Sequence, residues 1–157
     1  MTATAEQDTT VAIEAWRDQM IDLAVTAYYD YEQSGFPDWE TCAILGNALK
    51  DIRVRDTLMW RIFNYGDHRV ASILLYRAMM AMPARHRAPA LTVLAACQAA
   101  MGLTNAYAMA VLARETDPDY SFAQLMFLSF ESNGIEATAE FLSSVFAELA
   151  YDEVRKP

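Results

Sequence analysis

The chain has 157 residues, 54% of them hydrophobic, and 12 basic against 21 acidic side chains leave a net charge of −9. That length fits one domain able to bury a core without disulfide or metal staples, and that charge disfavours generic binding to nucleic acid or to an anionic membrane surface. Five Gly and five Pro in the whole chain are few breakers, which favours long helices over turn-rich sheet.

The first ten residues are polar and acidic rather than basic and then apolar, so no secretory signal is expected there. No apolar run reaches the length of about 18 residues that a membrane span needs. A helix is predicted over about 8–33, because Ile13, Trp16, Met20, Leu23, Ala27 and Tyr31 alternate at spacings of three and four. Glu14, Asp18 and Asp22 stand four apart on it, a spacing that can present carboxylates to two metal ions. Such a site also needs Glu-x-x-His on other helices, and the sequence has none, so a solvated acidic face is expected.

Residues 34–38 stop that helix, and Asp38 is the expected N-cap of a short second helix reaching about residue 50. A third is predicted over about 54–65, with Val54, Leu58, Ile62 and Tyr65 on one face, Trp60 and Phe63 beside them, and Gly66-Asp67 closing it. Five more follow, at about 68–82, 87–101, 104–116, 119–133 and 135–154, separated by Pro83, Gly102, Pro118 and Gly134. Pro89 suits a first helical turn, where its missing N–H costs nothing.

Residues 120–130 are apolar nearly all round, which predicts a helix either central in the core or covered by a partner. In the last segment Ile135, Ala139, Leu142, Phe146 and Leu149 form a packing seam. No strand alternation competes. The expected fold is all-α, a single domain over 1–157 made of about eight helices. A helical hairpin near 88–134 has a tetratricopeptide flavour: Ala106, Ala113 and Pro118 keep that repeat's spacing of seven and five, with Gly102 just ahead. The match is partial, since Ala90 stands where a large aromatic is expected and no second copy follows at a 34-residue offset.

Charge is unevenly spread. Residues 1–52 carry ten acids and two bases (−8), residues 53–87 seven Arg and two acids (+5), and residues 88–157 nine acids and three bases (−6). The leading expectation is that the central arginines pair internally with the acidic helices; the alternative is a basic band facing a partner. For the alternative, Arg69, Arg77, Arg85 and Arg87 are the candidate partner-binding cations. Tyr28 and Tyr29 join them, because three tyrosines at 28, 29 and 31 cannot all point inward, and surplus Tyr, Met and Arg are enriched in interface cores.

Three blocks resemble one actinobacterial family, the domain-of-unknown-function family numbered 4192. They are Arg55-Asp56-Thr57-Leu58-Met59-Trp60; Arg87-Ala88-Pro89-Ala90-Leu91-Thr92-Val93-Leu94-Ala95; and Gly102, Asn105-Ala106, Ala110, Leu112-Ala113, Asp117-Pro118-Asp119-Tyr120-Ser121, continuing through Ala123, Leu125 and Gly134. The resemblance covers about 54–136. It implies an actinobacterial or actinophage source, and no known activity, cofactor or catalytic residue. The chain departs from the family after Gly134, where Ile135-Glu136-Ala137 opens a long helix in place of a Pro-rich ending.

Candidate chemistry is thin. His68 and His86 each sit beside arginines, which disfavour both a protonated ring and a bound cation, and neither has Cys or carboxylate at a metal-ligand spacing. Asp117 and Asp119 flank Pro118 as expected of a turn that caps the next helix. Cys42 and Cys97 lie in apolar helical patterns and are expected to be reduced and buried, as in the cytoplasm. No catalytic residue, cofactor site or metal site is predicted. The expected function is a non-enzymatic protein-binding or modulator protein, phage-encoded and acting on a host protein, working as a homodimer and not on a membrane. Alternatives are an acidic decoy that mimics nucleic acid, or a bacterial accessory subunit.

Overall fold

The computed structural model describes residues 2–149, and within them the chain forms eight α-helices and no strand, as the periodicity predicts. They are α1 (Thr2–Ser34), α2 (Trp39–Ala48), α3 (Ile52–Tyr65), α4 (His68–Met80), α5 (Ala88–Ala100), α6 (Asn105–Thr116), α7 (Ser121–Asn133) and α8 (Ile135–Glu148), with a 3-10 turn at Ala84–His86 before α5.

Aspartates start three of these helices by accepting orphan N–H groups. Asp38 takes the N–H of Thr41 at 2.7 Å; Asp51 takes those of Arg53 and Val54 at 3.0 and 3.1 Å; Asp67 takes those of Arg69 and Val70 at 2.8 and 3.3 Å. Each cap contributes about 1 kcal/mol. The Asp51 cap starts α3 two residues ahead of the position expected from its apolar face. Asp67, expected to close α3, instead opens α4, and Gly66 is the residue that ends α3.

The central helix is α5, not α7. Every residue of α5 from Ala88 to Ala99 except Gln98 is buried, because its many alanines let α4, α6, α7 and α8 all approach it. Ala106, Ala110 and Ala113 of α6 are wholly buried against this layer. Leu91 and Leu94 fill the space between, each stabilising the fold by roughly 1.5–3 kcal/mol through burial. By contrast α7 buries Ala123, Met126 and Phe130 alone and leaves Leu125 and Leu128 exposed. It is an outer helix despite its apolar sequence, so of the two expectations for it the central position is ruled out.

The N-terminal helix is longer than expected, and just part of its predicted apolar face is covered. Met20 and Ile21 are buried with Ala48 and Val54, while Ile13 and Trp16 remain exposed. Two ties hold α1 alongside α3. Arg17 reaches the Asp51 carboxylate through Nε and Nη2, at 2.9–3.1 Å, and the Asp67 N–H donates to the Tyr28 hydroxyl. At the other end α8 stops at Glu148 instead of running on to about 154. Leu149 is extended, and its carbonyl accepts the Trp60 indole N–H at 2.8 Å. The remainder of that predicted helix, 150–154, lies outside the described residues.

A third contact joins two blocks 65 residues apart in sequence. The nearly buried Arg55 of α3 donates to the Tyr120 hydroxyl at 2.9 Å and to Asp56 at 2.7 Å, and its guanidinium lies 4.5 Å from the centre of the Phe122 ring. Burial pushes the Tyr120 phenol up. Burial alone would lower the Arg55 pKa, but Tyr120 and Asp56 outweigh it and hold it raised. The turn that carries Tyr120 is shaped by Asp117, which accepts the Asp119 N–H at 3.1 Å. Neither aspartate caps α7, whose first turn has no side-chain cap.

Candidate functional site

The chemistry-bearing side chains are dispersed. His68 opens α4 with its ring edge-on to Phe63 at 5.0 Å, and burial lowers its pKa. His86 accepts the Arg85 Nε–H at 3.1 Å in the 3-10 turn. Both cysteines are buried free thiols, and full burial pushes Cys97 up to about 12. Among the described residues no three His, Cys, Asp or Glu side chains gather into a group able to hold a metal ion, and no helix is long and apolar enough to cross a membrane.

The basic middle is split. Arg53 donates to Glu14 at 2.6 Å and Arg55 pairs with Asp56 at 2.7 Å, so two of its arginines pair inside the bundle. Of the candidate cations, Arg77 stacks on Phe36 and Trp39, 4.4 and 5.2 Å from their centres, and Arg87 caps the Met82 carbonyl at 2.9 Å. Arg69 lies exposed in the first turn of α4, with Arg77 eight residues, or about 12 Å, further along the helix axis. Arg85 and Arg87 come after α4 has ended. The structure therefore spreads the four along and beyond one helix.

Tyr28 and Tyr29 do come together, ring edge to ring face at 5.3 Å, and both line a cleft of about 260 Å³. Its walls come from five helices. Ala24 and Val25 accompany the tyrosines on α1; Leu45 lies on α2, Leu58, Arg61, Ile62 and Tyr65 on α3, Leu74 and Leu75 on α4, and Val93 on α5. None of the four candidate arginines lines it. The ties at Asp51 and Asp67 hold α1 beside α3, while α2 comes close to the end of α4 at Gly46, where a Cβ would meet the Ala78 carbonyl and the side chain of Met82, just past α4. Between these fixed contacts the small side chains of Ala24, Ala71 and Ala78 line the cleft.

Interiors seldom hold voids larger than a water molecule. A closed void of this volume would cost roughly 6 kcal/mol at ~24 cal/mol per Å³, comparable to the whole stability of a small domain. The cleft opens to solvent, which lessens that cost, although Leu49, Ala71, Ala78 and Val93 of its wall are buried. Leu45, Leu58, Leu75 and Arg61 were not singled out in the sequence as site residues. The signal for them is an excess of alanine on faces that otherwise carry Leu and Ile, and it takes the three-dimensional pairing of α1, α3 and α4 to read it.

A second apolar feature is the outer face of the α7–α8 hairpin. Leu125, Leu128 and Phe141 are 63, 55 and 64% exposed. Leu125 and Leu128 stand about one turn apart on α7. The Ser129 and Thr138 hydroxyls meet at 2.9 Å and set the register of the antiparallel pair. Leu125 lies four residues before Ser129 and Phe141 three after Thr138, so the two stand at nearly the same height on the hairpin.

Neither curated proteins nor solved structures yield a match to this chain. One family model does match, and it covers residues 1–132, so it takes in α1 and α2, which the resemblance over 54–136 left out, and ends just before α8. The match takes in both Arg55 and Tyr120 and the whole of α5, and the chain is a member of the family described as Domain of unknown function (DUF4192).

Proposed function

We propose that the chain is a non-enzymatic, protein-binding helical module that works as a homodimer, and that it modulates a protein partner. The observation that carries this reading is the exposed Leu125, Leu128 and Phe141 face of the α7–α8 hairpin. Monomeric proteins rarely leave clustered large apolar side chains in water, and a specific interface buries about 800 Å² on each partner. At roughly 25 cal/mol per Å² that burial is a large driving force even after the cost of association. Two buried free thiols suit a reducing compartment, so the cytoplasm is the proposed site of action. An actinobacterial or actinophage source, with a host protein as partner, completes the reading.

The test is a double substitution, Leu125→Glu with Phe141→Glu, on two exposed positions where the fold itself has little to lose. The variant is expected to keep its helical circular dichroism and to lose self-association in light scattering. An unchanged association would remove this face from the proposal.

A further inference from the structure

The outer face of α4 differs from the rest of this acidic chain. Arg69, Ile73, Tyr76 and Met80 follow one another at spacings of four, three and four, which sets them in one stripe along the helix. Arg69, Tyr76 and Met80 are exposed and Ile73 is half-buried, while the opposite side of α4 is buried through Ala71, Leu75, Ala78 and Met79. From His68 to Arg114 the sequence holds no Asp or Glu, although the whole chain has 21 acids against 12 bases.

Arg77 stands at the edge of the stripe, on the side of α2. Gly35, at φ +75°, turns the chain after α1, and Phe36 packs on Tyr31 with ring centres 4.5 Å apart. The Asp38 cap makes the exposed Trp39 the first residue of α2. The Arg77 guanidinium lies over the Phe36 and Trp39 rings, and such stacking holds a planar fork of donors in place before any partner arrives. Its Nε is buried with no hydrogen-bond partner among the described residues. Arg17, Arg53 and Arg55 each meet a carboxylate; among the described residues neither Arg69 nor Arg77 does. Exposed Tyr, Trp and Met beside Arg are the residue types of an interface core, and the element missing here is the counter-charge.

Spacing narrows the form of that counter-charge. Arg69 and Arg77 stand about 12 Å apart along the axis of α4. An extended chain advances about 3.3 Å per residue, so two carboxylates four residues apart span about 13 Å and point to the same side, as does the residue midway between them. We infer that the α4 stripe docks an extended acidic segment of a protein partner, whose two carboxylates pair with Arg69 and Arg77 and whose apolar side chain between them lies on Ile73 and Tyr76. This rests on the protein-binding reading above and adds the chemistry of the partner, on a face separate from the α7–α8 hairpin. A nucleic acid is disfavoured, because its evenly spaced phosphates would meet Ile73 and Tyr76 between the two cations and a chain of net charge −9 behind them.

The experiment titrates the full chain with the capped peptide Gly-Ser-Glu-Ser-Leu-Ser-Glu-Ser-Gly, following the Trp39 indole N–H and the Met80 methyl by NMR. Three further probes are the same peptide with Gln for both Glu, one with its two Glu three residues apart, and oligothymidylate. The first peptide is expected to shift Trp39 and Met80 saturably at one molecule per chain and to leave the Leu125 and Leu128 methyls unmoved. The Gln peptide and the misspaced peptide are expected to bind about tenfold more weakly or not at all. Arg77→Gln is expected to weaken the first peptide about tenfold, and so is Arg69→Gln, whose exposed position keeps the test valid if Arg77→Gln does not fold. The inference is overturned by no saturable binding of the first peptide, by equal binding of the Gln peptide, by tighter binding of oligothymidylate, or by shifts at Leu125 and Leu128 instead. The oligomer mass is measured in parallel: a dimer that ignores the peptide overturns this inference alone, and a monomer that binds it overturns the α7–α8 dimer alone.

Discussion

Ala90, Ala95, Ala106, Ala110, Ala113 and Ala123 are wholly buried where α5, α6 and α7 meet, whereas Ala24, Ala71 and Ala78 look onto an unfilled cleft beside α1, α3 and α4. The same residue does opposite work in the two regions. Around α5 it lets backbones close up until nothing is left between them; along the cleft it fails to reach across helices that other contacts hold apart. Small side chains thus mark the tightest and the loosest packing in one domain, and substitutions that change volume separate the two.

The largest effect is expected at the centre. Leu94→Ala in α5 should cost about 2–5 kcal/mol in chemical denaturation, and Leu74→Ala in the half-buried cleft wall about 1 kcal/mol. Equal losses would break the comparison. Next is the tie between α3 and the turn before α7, where Tyr120→Phe removes the acceptor for the buried Arg55 guanidinium. That should cost about 1–3 kcal/mol, with the loss visible as a lowered thermal midpoint.

The sharper test applies one substitution to both regions. Ala95→Leu overpacks the α5 layer and should destabilise by about 1–3 kcal/mol, while Ala24→Leu fills open space and should be neutral or stabilising by up to about 1 kcal/mol. Destabilisation of the same size at both sites would mean that the cleft is not open as described. Acid should act on the α1–α3–α4 side. The Asp51 carboxyl is held low by Arg17 and the Arg53 and Val54 N–H groups, although burial works against them, so its contribution is intact above the unfolded value near pH 4 and is lost as pH falls through the lower folded one. His68 has a folded pKa lowered by burial, so below about pH 6.5 the unfolded chain gains a proton the folded one resists, and stability falls. A denaturation series from pH 7 to 3 should show both losses, and His68→Phe should flatten the upper one. The smallest effect is at Thr57, a buried hydroxyl with no hydrogen-bond partner among the described residues. Thr57→Val should be neutral or gain up to about 1 kcal/mol.

Most of the helical order was legible because its signals are local. Asp38 as a cap, Gly66 and Gly134 as stops and Pro89 in a first turn depend on residues within a turn of each other. What was not legible depends on partners distant in sequence. Residues 120–130 read as apolar nearly all round, and that α5 rather than α7 is central follows from how many helices can approach each, which the alanines of α5 decide. Asp51 reads as a loop acid until Arg17 is found opposite it. Tyr28 and Tyr29 were identified from crowding and from the enrichment of Tyr in interfaces, and the structure places them on one cleft; Arg69, Arg77, Arg85 and Arg87 were identified from the charge of residues 53–87, and the fold spreads them along α4 and past its end instead of gathering them.

The central claim is that an exposed apolar hairpin face joins two copies of this chain, and light scattering at micromolar concentration tests it most directly. The account predicts about 35 kDa, twice the 17.6 kDa of one chain, falling to the single-chain mass when Leu125 and Phe141 are both replaced by Glu. A strictly monomeric mass for the unmodified chain, with no binding of a dye that reports exposed apolar surface, would contradict it.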